Sequence, residues 1–327
     1  MSSPRVSVVL PVYNGAAFVE RAVRSVLTQT FPDFELIVVD DGSTDGTADV
    51  LARLSDPRVR VVSQANKGLS ATLNVAIDLC RGTYLARQDH DDLSRSTRLA
   101  QQVSFMDAHP RCGLLGTRAE IYEGDAPGGR FHDHPLSHEA LAFALLFDNP
   151  FVHSSVMLRT AVLRRLGGYS TDPRRQPPED YELWSRIARS ERMANLPERL
   201  VVYREVASSL SRVSVRPFVR MLVKLGSENM AHCLGVAIPS ADMVDLAALH
   251  HGAFDLLSPS PNLARVLSLL RRAAQQLDPR DDNRELAAEV ALRTRWIRRQ
   301  YALRGPLAQH ALTHWRRLRA LARSRLR

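Results

Sequence analysis

The chain has 327 residues, which at roughly 100–200 residues per domain means one large domain with an extension, or two domains. Hydrophobic residues at 45% and charged residues at 24% are those of a globular protein with ample core material, and no apolar run reaches the roughly 18–20 residues of a membrane-spanning helix. The formal net charge of +9 sits at one end: after Glu289 there is no acidic residue but there are eleven arginines, so the rest of the chain is near neutral and the C-terminus alone calls for an anionic partner.

Cys80, Cys112 and Cys233 are scattered and odd in number, which argues against a disulfide framework and for a reducing compartment. No Cys/His spacing resembles a zinc site. Residues 1–5 lead straight into a strand-like segment without a signal peptide, so a cytoplasmic location is expected.

In chain order, Arg5–Leu10 is β-branched, apolar and bounded by Pro11, which predicts a buried strand. Phe18, Ala22, Val23, Val26 and Leu27 form a helical stripe between about Ala16 and Gln29. Phe34–Val39 predicts a second strand, ending in Asp40-Asp41-Gly42-Ser43. Ser43 or Thr44 is then expected to cap a helix running to about Leu54. A third strand (Val59–Val62), a helix (about Leu69–Leu79) and a fourth strand (Thr83–Arg87) follow, the last ending in Gln88-Asp89-His90-Asp91-Asp92. This alternation with short connections predicts βαβ crossovers and a parallel sheet flanked by helices. Ligands in such folds bind at the carboxyl ends of strands, where two of these four strands carry acidic clusters.

Past about residue 109 the alternation weakens. Strand character recurs at Cys112–Ala119, Val152–Leu158 and Leu200–Tyr203, a turn at Glu123–Gly129, and helices at about His138–Phe147 and Glu179–Ser190. From about Val215 the chain reads as helical, with breaks near Pro239, Pro259-Ser260-Pro261 and Gly305-Pro306. The boundary is drawn between an α/β domain, residues 1–213, and an all-helical extension, residues 214–327, with a basic tail.

Each acidic cluster has a bland and a chemical reading. Asp40-Asp41-Gly42-Ser43-Thr44-Asp45 is either a helix cap or a set of acceptors for a base N–H or ribose hydroxyl. Asp89 and Asp91, one residue apart at a strand end, are either an acidic loop or hard oxygen ligands for Mg²⁺ or Mn²⁺, and the nearby first cluster favours the metal. His90 between them reads as a solvent-facing spacer. Pro177-Pro178-Glu179-Asp180 either complements a helix dipole or holds a general base, and the residues leave both open.

With all three clusters in order, the chain resembles the family 2 glycosyltransferases of the GT-A fold. The resemblance is carried by Val8–Asn14, Val38–Asp45, Gly82–Asp92, Asn149–Met157 and Glu179–Trp184, and covers roughly the first two thirds of the chain. It implies a nucleotide-diphosphate sugar donor, usually a uridine diphosphate sugar, and a role in glycan or cell-surface polysaccharide synthesis. It further implies that Pro11, Tyr13 and Asp41 contact the base, with Asn14, Asp40 and Asp89 in the same donor site. Asp89 and Asp91 correspond to the family's metal-and-ribose DXD motif, and Asp180 to its catalytic base, with Glu179 the adjacent alternative. His153 and Trp184 are candidates for the acceptor side, His153 either as a substrate contact or as a structural residue. A Mn²⁺ or Mg²⁺ ion would neutralise the departing diphosphate, and a single displacement would invert the anomeric centre. Where the family often shows Tyr-Arg-x-His, this chain has Tyr203-Arg204-Glu205-Val206, which puts a histidine metal ligand in doubt.

Three rivals explain less. A dinucleotide-dependent oxidoreductase needs Gly-x-Gly-x-x-Gly after the first strand, and Pro11–Ala17 has one glycine. A metal-dependent nucleotidyltransferase, the strongest alternative, usually carries a Gly-rich basic loop there. A nucleic-acid-binding protein would leave the acidic clusters unexplained. In the tail, Leu307, Ala311, Trp315, Leu318 and Ala322 share one helical face, and Arg316, Arg317, Arg319 and Arg323 lie mostly elsewhere. Such a helix either lies peripherally on an anionic membrane, close to a lipid-linked acceptor, or packs on protein while its arginines are solvated.

Overall fold

The structure, a computed structural model, describes residues 3–205 and 215–305. The chain divides into two compact units, Met1–Phe218 and Val219–Arg327.

The first unit is built on one sheet. Strands β1 (Val6–Val12), β2 (Phe34–Asp40), β3 (Val59–Ser63) and β4 (Tyr84–Arg87) pair in parallel in the order β3-β2-β1-β4. Helices α1 (Val19–Leu27), α2 (Thr47–Ala52) and α3 (Leu69–Leu79) make the crossovers. β1 and β2 are buried along their whole length, as their unbroken apolar runs require, whereas the edge strand β3 is only partly covered. Val8, Leu10 and Val12 of β1 pack with Val19, Val23 and Val26 of α1 in the main core. Each such side chain contributes about 1.5–3 kcal/mol on burial.

Beyond β4 the sheet turns mixed. It continues through β8 (Met157–Arg159), β6 (Cys112–Glu123), β9 (Arg192–Glu205) and the short β5 (Leu93–Ser94), with β7 (Ala126–His132) on β6. Only the β6–β9 pair here is parallel. Helices α4 (Arg98–Ala108), α5 (His138–Ala144), α6 (Thr160–Arg165) and α7 (Glu179–Ile187) complete the unit. This is the expected sheet flanked by helices, parallel in its first half.

Three local expectations change. The segment read as a strand from Val152 is a 3-10 turn, His153–Ser155, before the short β8, because the Ser155 hydroxyl bonds back to Val152 O and closes the turn. The strand read at Leu200–Tyr203 is the end of the longer β9, which runs alongside β6. Gly46, not Ser43 or Thr44, holds the cap position of α2, and Asp45 accepts from Thr47 N there.

The second unit is helical, made of α8 (Val215–Cys233) from Val219 onward, α9 (Ala241–His251), α10 (Leu263–Leu277) and α11 (Arg284–Leu303). Val223, Ala247, Ala248 and Ala253 form a small core. The buried Asp245 carboxylate secures the loop after α9 through Ser258 N (2.7 Å) and Ser258 Oγ (2.6 Å). Among the described residues, no helix is long and apolar enough to cross a membrane. The basic amphipathic segment read from Leu307 onward lies outside the described residues.

Candidate active site

The site occupies the carboxyl edge of the parallel strands, where the loops after β1, β2 and β4 meet. Two of these loops are laced together. Asn14, at φ 51°, donates from its backbone to Ser43 Oγ (2.9 Å) and accepts from Thr44 N at Oδ1 (2.8 Å). Gly15 N reaches Thr47 Oγ1 (2.9 Å) and Ala16 N reaches Asp45 Oδ2 (3.1 Å). The residues that looked like a cap therefore bind the neighbouring loop. Gly42 sits at φ 74°, and a Cβ there would lie 2.7 Å from Asn66 N, so the glycine is demanded twice over.

The lacing leaves Tyr13 standing out from the end of β1 with 47% of its surface exposed, while Pro11 is buried in the strand. Asp40 is buried and accepts from Ser43 N at 3.0 Å. Asp41 does more structural work than its motif suggests. Its Oδ1 takes Gln64 Nε2 (2.7 Å) and Lys67 N (2.9 Å), and its Oδ2 takes Gly68 N (2.9 Å). Burial opposes its charge, but these donors outweigh it and hold the carboxyl below its usual range.

At the end of β4, carboxylate oxygens of Asp89, Asp91 and Asp92 lie within 4.8 Å of one another. Asp89 accepts from Ser154 Oγ at 2.7 Å and is ion-paired with the buried Arg87. Asp92 is fully enclosed. Its Oδ1 accepts from Arg204 N (2.8 Å), and its Oδ2 has no partner. Burial, reinforced by the Asp91 charge, pushes its carboxyl up to about 7. An orphaned buried carboxylate oxygen beside two further carboxylates is what a divalent cation's site requires, so these residues fit a hard metal. Asp92 joins Asp89 and Asp91 here without having been marked by the one-residue spacing that singles out those two, although it belongs to the same run. His90 is no solvent-facing spacer: it is half-buried, and a Cβ on Gly15 would meet its Cδ2 at 2.6 Å.

Arg204 fixes this loop. Its backbone holds Asp92, its Nε donates to Asp91 O (3.0 Å), and its Nη1 reaches Gly124 O and Asp125 in the β6–β7 turn. The position two residues on, Val206, lies outside the described residues.

The third cluster opens α7. Of its acidic residues, Glu182 is engaged by Arg175 (3.1 Å) and Arg186 (2.9 Å). Glu179 and Asp180 remain. Asp180 accepts from Asn149 Nδ2 at Oδ2 and from Tyr181 N at Oδ1, both at 2.7 Å. Burial, with the adjacent Glu179 charge, pushes its carboxyl up to about 7, and burial raises Glu179 as well. His153 pairs with Tyr169 Oη through Nε2 (2.8 Å), with Nδ1 at 4.0 Å from Glu179 Oε1. Its burial holds it well below the usual histidine range and therefore neutral. Trp184 is 0% exposed, edge-on to Phe151, His153 and Tyr169. Enclosed in this way it backs His153 and offers no open face to an acceptor.

The family profile described as Glycosyl transferase family 2 matches residues 7–167. EpsE of Bacillus subtilis (strain 168), named as a glycosyltransferase, is 34% identical over 219 residues, covering 65% of this chain and 77% of that protein. The chain belongs to glycosyltransferase family 2. A chondroitin synthase of Escherichia coli is 45% identical over 147 residues, which are 44% of this family member but 21% of that enzyme. Among solved structures, residues 1–349 of TarS from S. aureus in complex with UDP-GlcNAc share the fold, with TM-score 0.59, 18% identity and 91% of each chain covered. So does the mannosyltransferase PcManGT from Pyrobaculum calidifontis in complex with GDP-Man and Mn²⁺, at TM-score 0.51 and 19% identity, over 97% of this chain and 81% of that one. Family membership favours glycosyl transfer over nucleotidyl transfer.

Proposed function

We propose that residues 1–213 transfer a sugar, with inversion, from a uridine diphosphate donor to a hydroxyl of a growing polysaccharide. One observation carries this reading. Three converging carboxylates at the end of β4 and a raised carboxyl pair at the start of α7 flank one 3-10 turn, in which Ser154 bonds Asp89 and His153 lies 4.0 Å from Glu179. The first set suits an electrophile carrying phosphates, and the second suits a proton acceptor working near neutral pH. The UDP-GlcNAc of the TarS complex, the Mn²⁺ of the mannosyltransferase complex and the polymer named for the chondroitin synthase support the same assignment.

Asp89, Asp91 and Asp92 would hold Mn²⁺ or Mg²⁺, which when bound supplies Lewis-acid stabilisation to the leaving diphosphate. Tyr13 stacks on the base. Asp40 and Asp41 complete the nucleoside pocket, Asp41 largely by holding the Gln64–Gly68 loop in place. Asn149 orients Asp180, which takes the proton of the acceptor hydroxyl. As the acceptor oxygen bonds to the anomeric carbon, the bond to the diphosphate breaks and its electron pair leaves with the nucleotide. His153 and Glu179 line the acceptor side. The helical region, residues 214–327, is an accessory to this domain, and its basic tail holds the enzyme peripherally at an anionic, cytoplasmic membrane face.

A panel of nucleotide sugars with Mn²⁺, read as slow donor hydrolysis and as the anomeric configuration of the product, tests the catalytic reading. Retention of configuration, or no turnover of any uridine diphosphate sugar, defeats it. Deleting residues 306–327 tests the tail. The truncated chain should stay active on a soluble acceptor and stop sedimenting with anionic liposomes, and full-length protein that ignores such liposomes at low salt refutes the membrane contact.

A further inference from the structure

Arg87 is the last residue of β4, and its side chain is 1% exposed. Its Nη1 donates to Ser154 Oγ at 3.1 Å and pairs with the Asp89 carboxylate. Ser154 closes the arrangement, accepting from Asp89 N (3.1 Å) and donating to Asp89 Oδ2 (2.7 Å). The same 3-10 turn carries His153, whose Nδ1 lies 4.0 Å from Glu179 Oε1. One continuous path thus runs from Asp89 through Arg87, Ser154 and His153 to the start of α7. Burial is the largest influence on the guanidinium, followed by the charges of Tyr169, Asp92, Glu179 and Asp91. Its Nε has no partner.

Enclosing a guanidinium is costly, and a well-packed apolar side chain of similar size is often the more stable choice. Position 87 therefore has a use for the charge. We propose that Arg87 is the positioning residue that couples the two halves of the site: it fixes Asp89 in a ligand's orientation, and its charge keeps the Glu179–Asp180 pair competent to hold a negative charge. The inference rests on the roles proposed above for the triad and for Asp180.

The surroundings of the pair identify Arg87 as the source of that charge. Glu179 and Asp180 are consecutive in the first turn of α7, and the Glu179 charge acts on Asp180. Asn149 approaches from the loop after α5, neutral His153 from the 3-10 turn, Tyr169 from the loop after α6, Tyr203 from β9 and Arg87 from β4. Among these described groups Arg87 is the cation. It opposes the rise of both carboxyls. Removing it raises both further, so the pH below which activity fails must move upward.

Two variants test this. Arg87→Met should weaken Mn²⁺ binding in the presence of UDP by about tenfold or more, read by calorimetry, as expected for a lost charge-assisted contact that orients a ligand. It should also move the acid limb of the kcat–pH profile up by about one unit. A structural role alone would lower activity without moving that limb. Should Arg87→Met not fold, Arg87→Lys decides. The ammonium keeps the charge but loses the planar fork, so Mn²⁺ binding should weaken by about tenfold while the limb stays within about 0.3 units. Wild-type Mn²⁺ affinity in a folded Arg87 variant, or an unmoved acid limb in Arg87→Met, overturns the proposal. The parent reading fails separately, if Asp180→Asn and Glu179→Gln both retain full turnover.

Discussion

Asp180→Asn should make the protein more stable and nearly inactive. The carboxyl is raised from 3.8 to about 7 by burial and by Glu179. About three pKa units at about 1.4 kcal/mol each give an upper bound of about 4 kcal/mol of preference for the neutral form in the folded state. Two donors oppose this, since Asn149 Nδ2 and Tyr181 N each supply a hydrogen bond to one of the carboxylate oxygens. An asparagine can accept only one of them, and Asn149 is not free to turn its amide because its Oδ1 already accepts from Phe151 N. That mismatch costs about 1–2 kcal/mol and leaves a net gain of about 2 kcal/mol. The sign is fixed by linkage. Between pH 3.8 and about 7 the unfolded chain has lost this proton while the folded chain keeps it, so wild-type stability falls as pH rises through that window. The variant has no such dependence at this position. Thermal melts from pH 4 to 8 should cross, with Asp180→Asn slightly lower at the acid end, where only the hydrogen-bond mismatch remains, and about 4–8 °C higher at pH 8. Turnover should fall by about 10²–10⁴-fold with donor affinity nearly unchanged. A folded variant that melts at or below wild type at pH 8 refutes the burial account.

Asp91→Asn should abolish Mn²⁺-dependent UDP binding by calorimetry, because it removes a charged oxygen from a site of three. Asp41→Ala should weaken the nucleotide whatever sugar it carries, since its three donors are the backbone and side chain of the Gln64–Gly68 loop; normal affinity with low turnover would contradict this. Tyr13→Ala should cost about 1–3 kcal/mol of UDP affinity and Tyr13→Phe almost none, as measured by titration, because stacking needs the ring and not the hydroxyl. If Glu179→Gln is dead and Asp180→Asn is active, the base is Glu179 and the two roles exchange.

The parallel half of the fold was legible because buried parallel strands announce themselves as unbroken apolar runs, as in β1 and β2. The mixed half was not, because β6 and β9 alternate burial irregularly and their pairing is long-range. For the candidate site, the acidic runs name Asp40, Asp41, Asp89, Asp91 and Asp180 as candidates directly. They could not give Arg87, Ser154 or Arg204, which come from a strand end, a 3-10 turn and a strand more than 100 positions away, and meet the carboxylates only through the topology. Asp92 had a signal in the sequence, being third in its run. Its difference from its neighbours is burial, which local spacing does not encode. Trp184 illustrates the converse: an aromatic beside an acidic motif invites a ligand role, yet its helix turns it inward.

The distribution of cations explains how so acidic an edge stays assembled. Arg87, Arg98 and Arg204 are all buried, and they come from β4, α4 and β9. The guanidinium groups of Arg98 and Arg204 are tied to backbone carbonyls as well as to side chains, and that of Arg87 to Ser154 and Asp89. Arg98 donates to Arg87 O (2.8 Å) and Val156 O (3.2 Å), and Arg204 to Asp91 O (3.0 Å), while the backbone N of Arg87 is held by Val156 O (3.0 Å). Positive charge anchored in this way does not relax when a carboxylate changes partner. A cation or a nucleotide entering the edge then meets groups already in place, and little binding energy is lost to ordering them. The fold is least tolerant of change at these buried arginines. An apolar residue at Arg98 would strip donors from the buried carbonyls of Arg87 and Val156 and from Gln88 and Gln102, whereas the exposed pair Arg24–Glu20 on α1 contributes almost nothing. Stability and donor binding should therefore fail together at Arg98 and independently of each other on the outer helix faces.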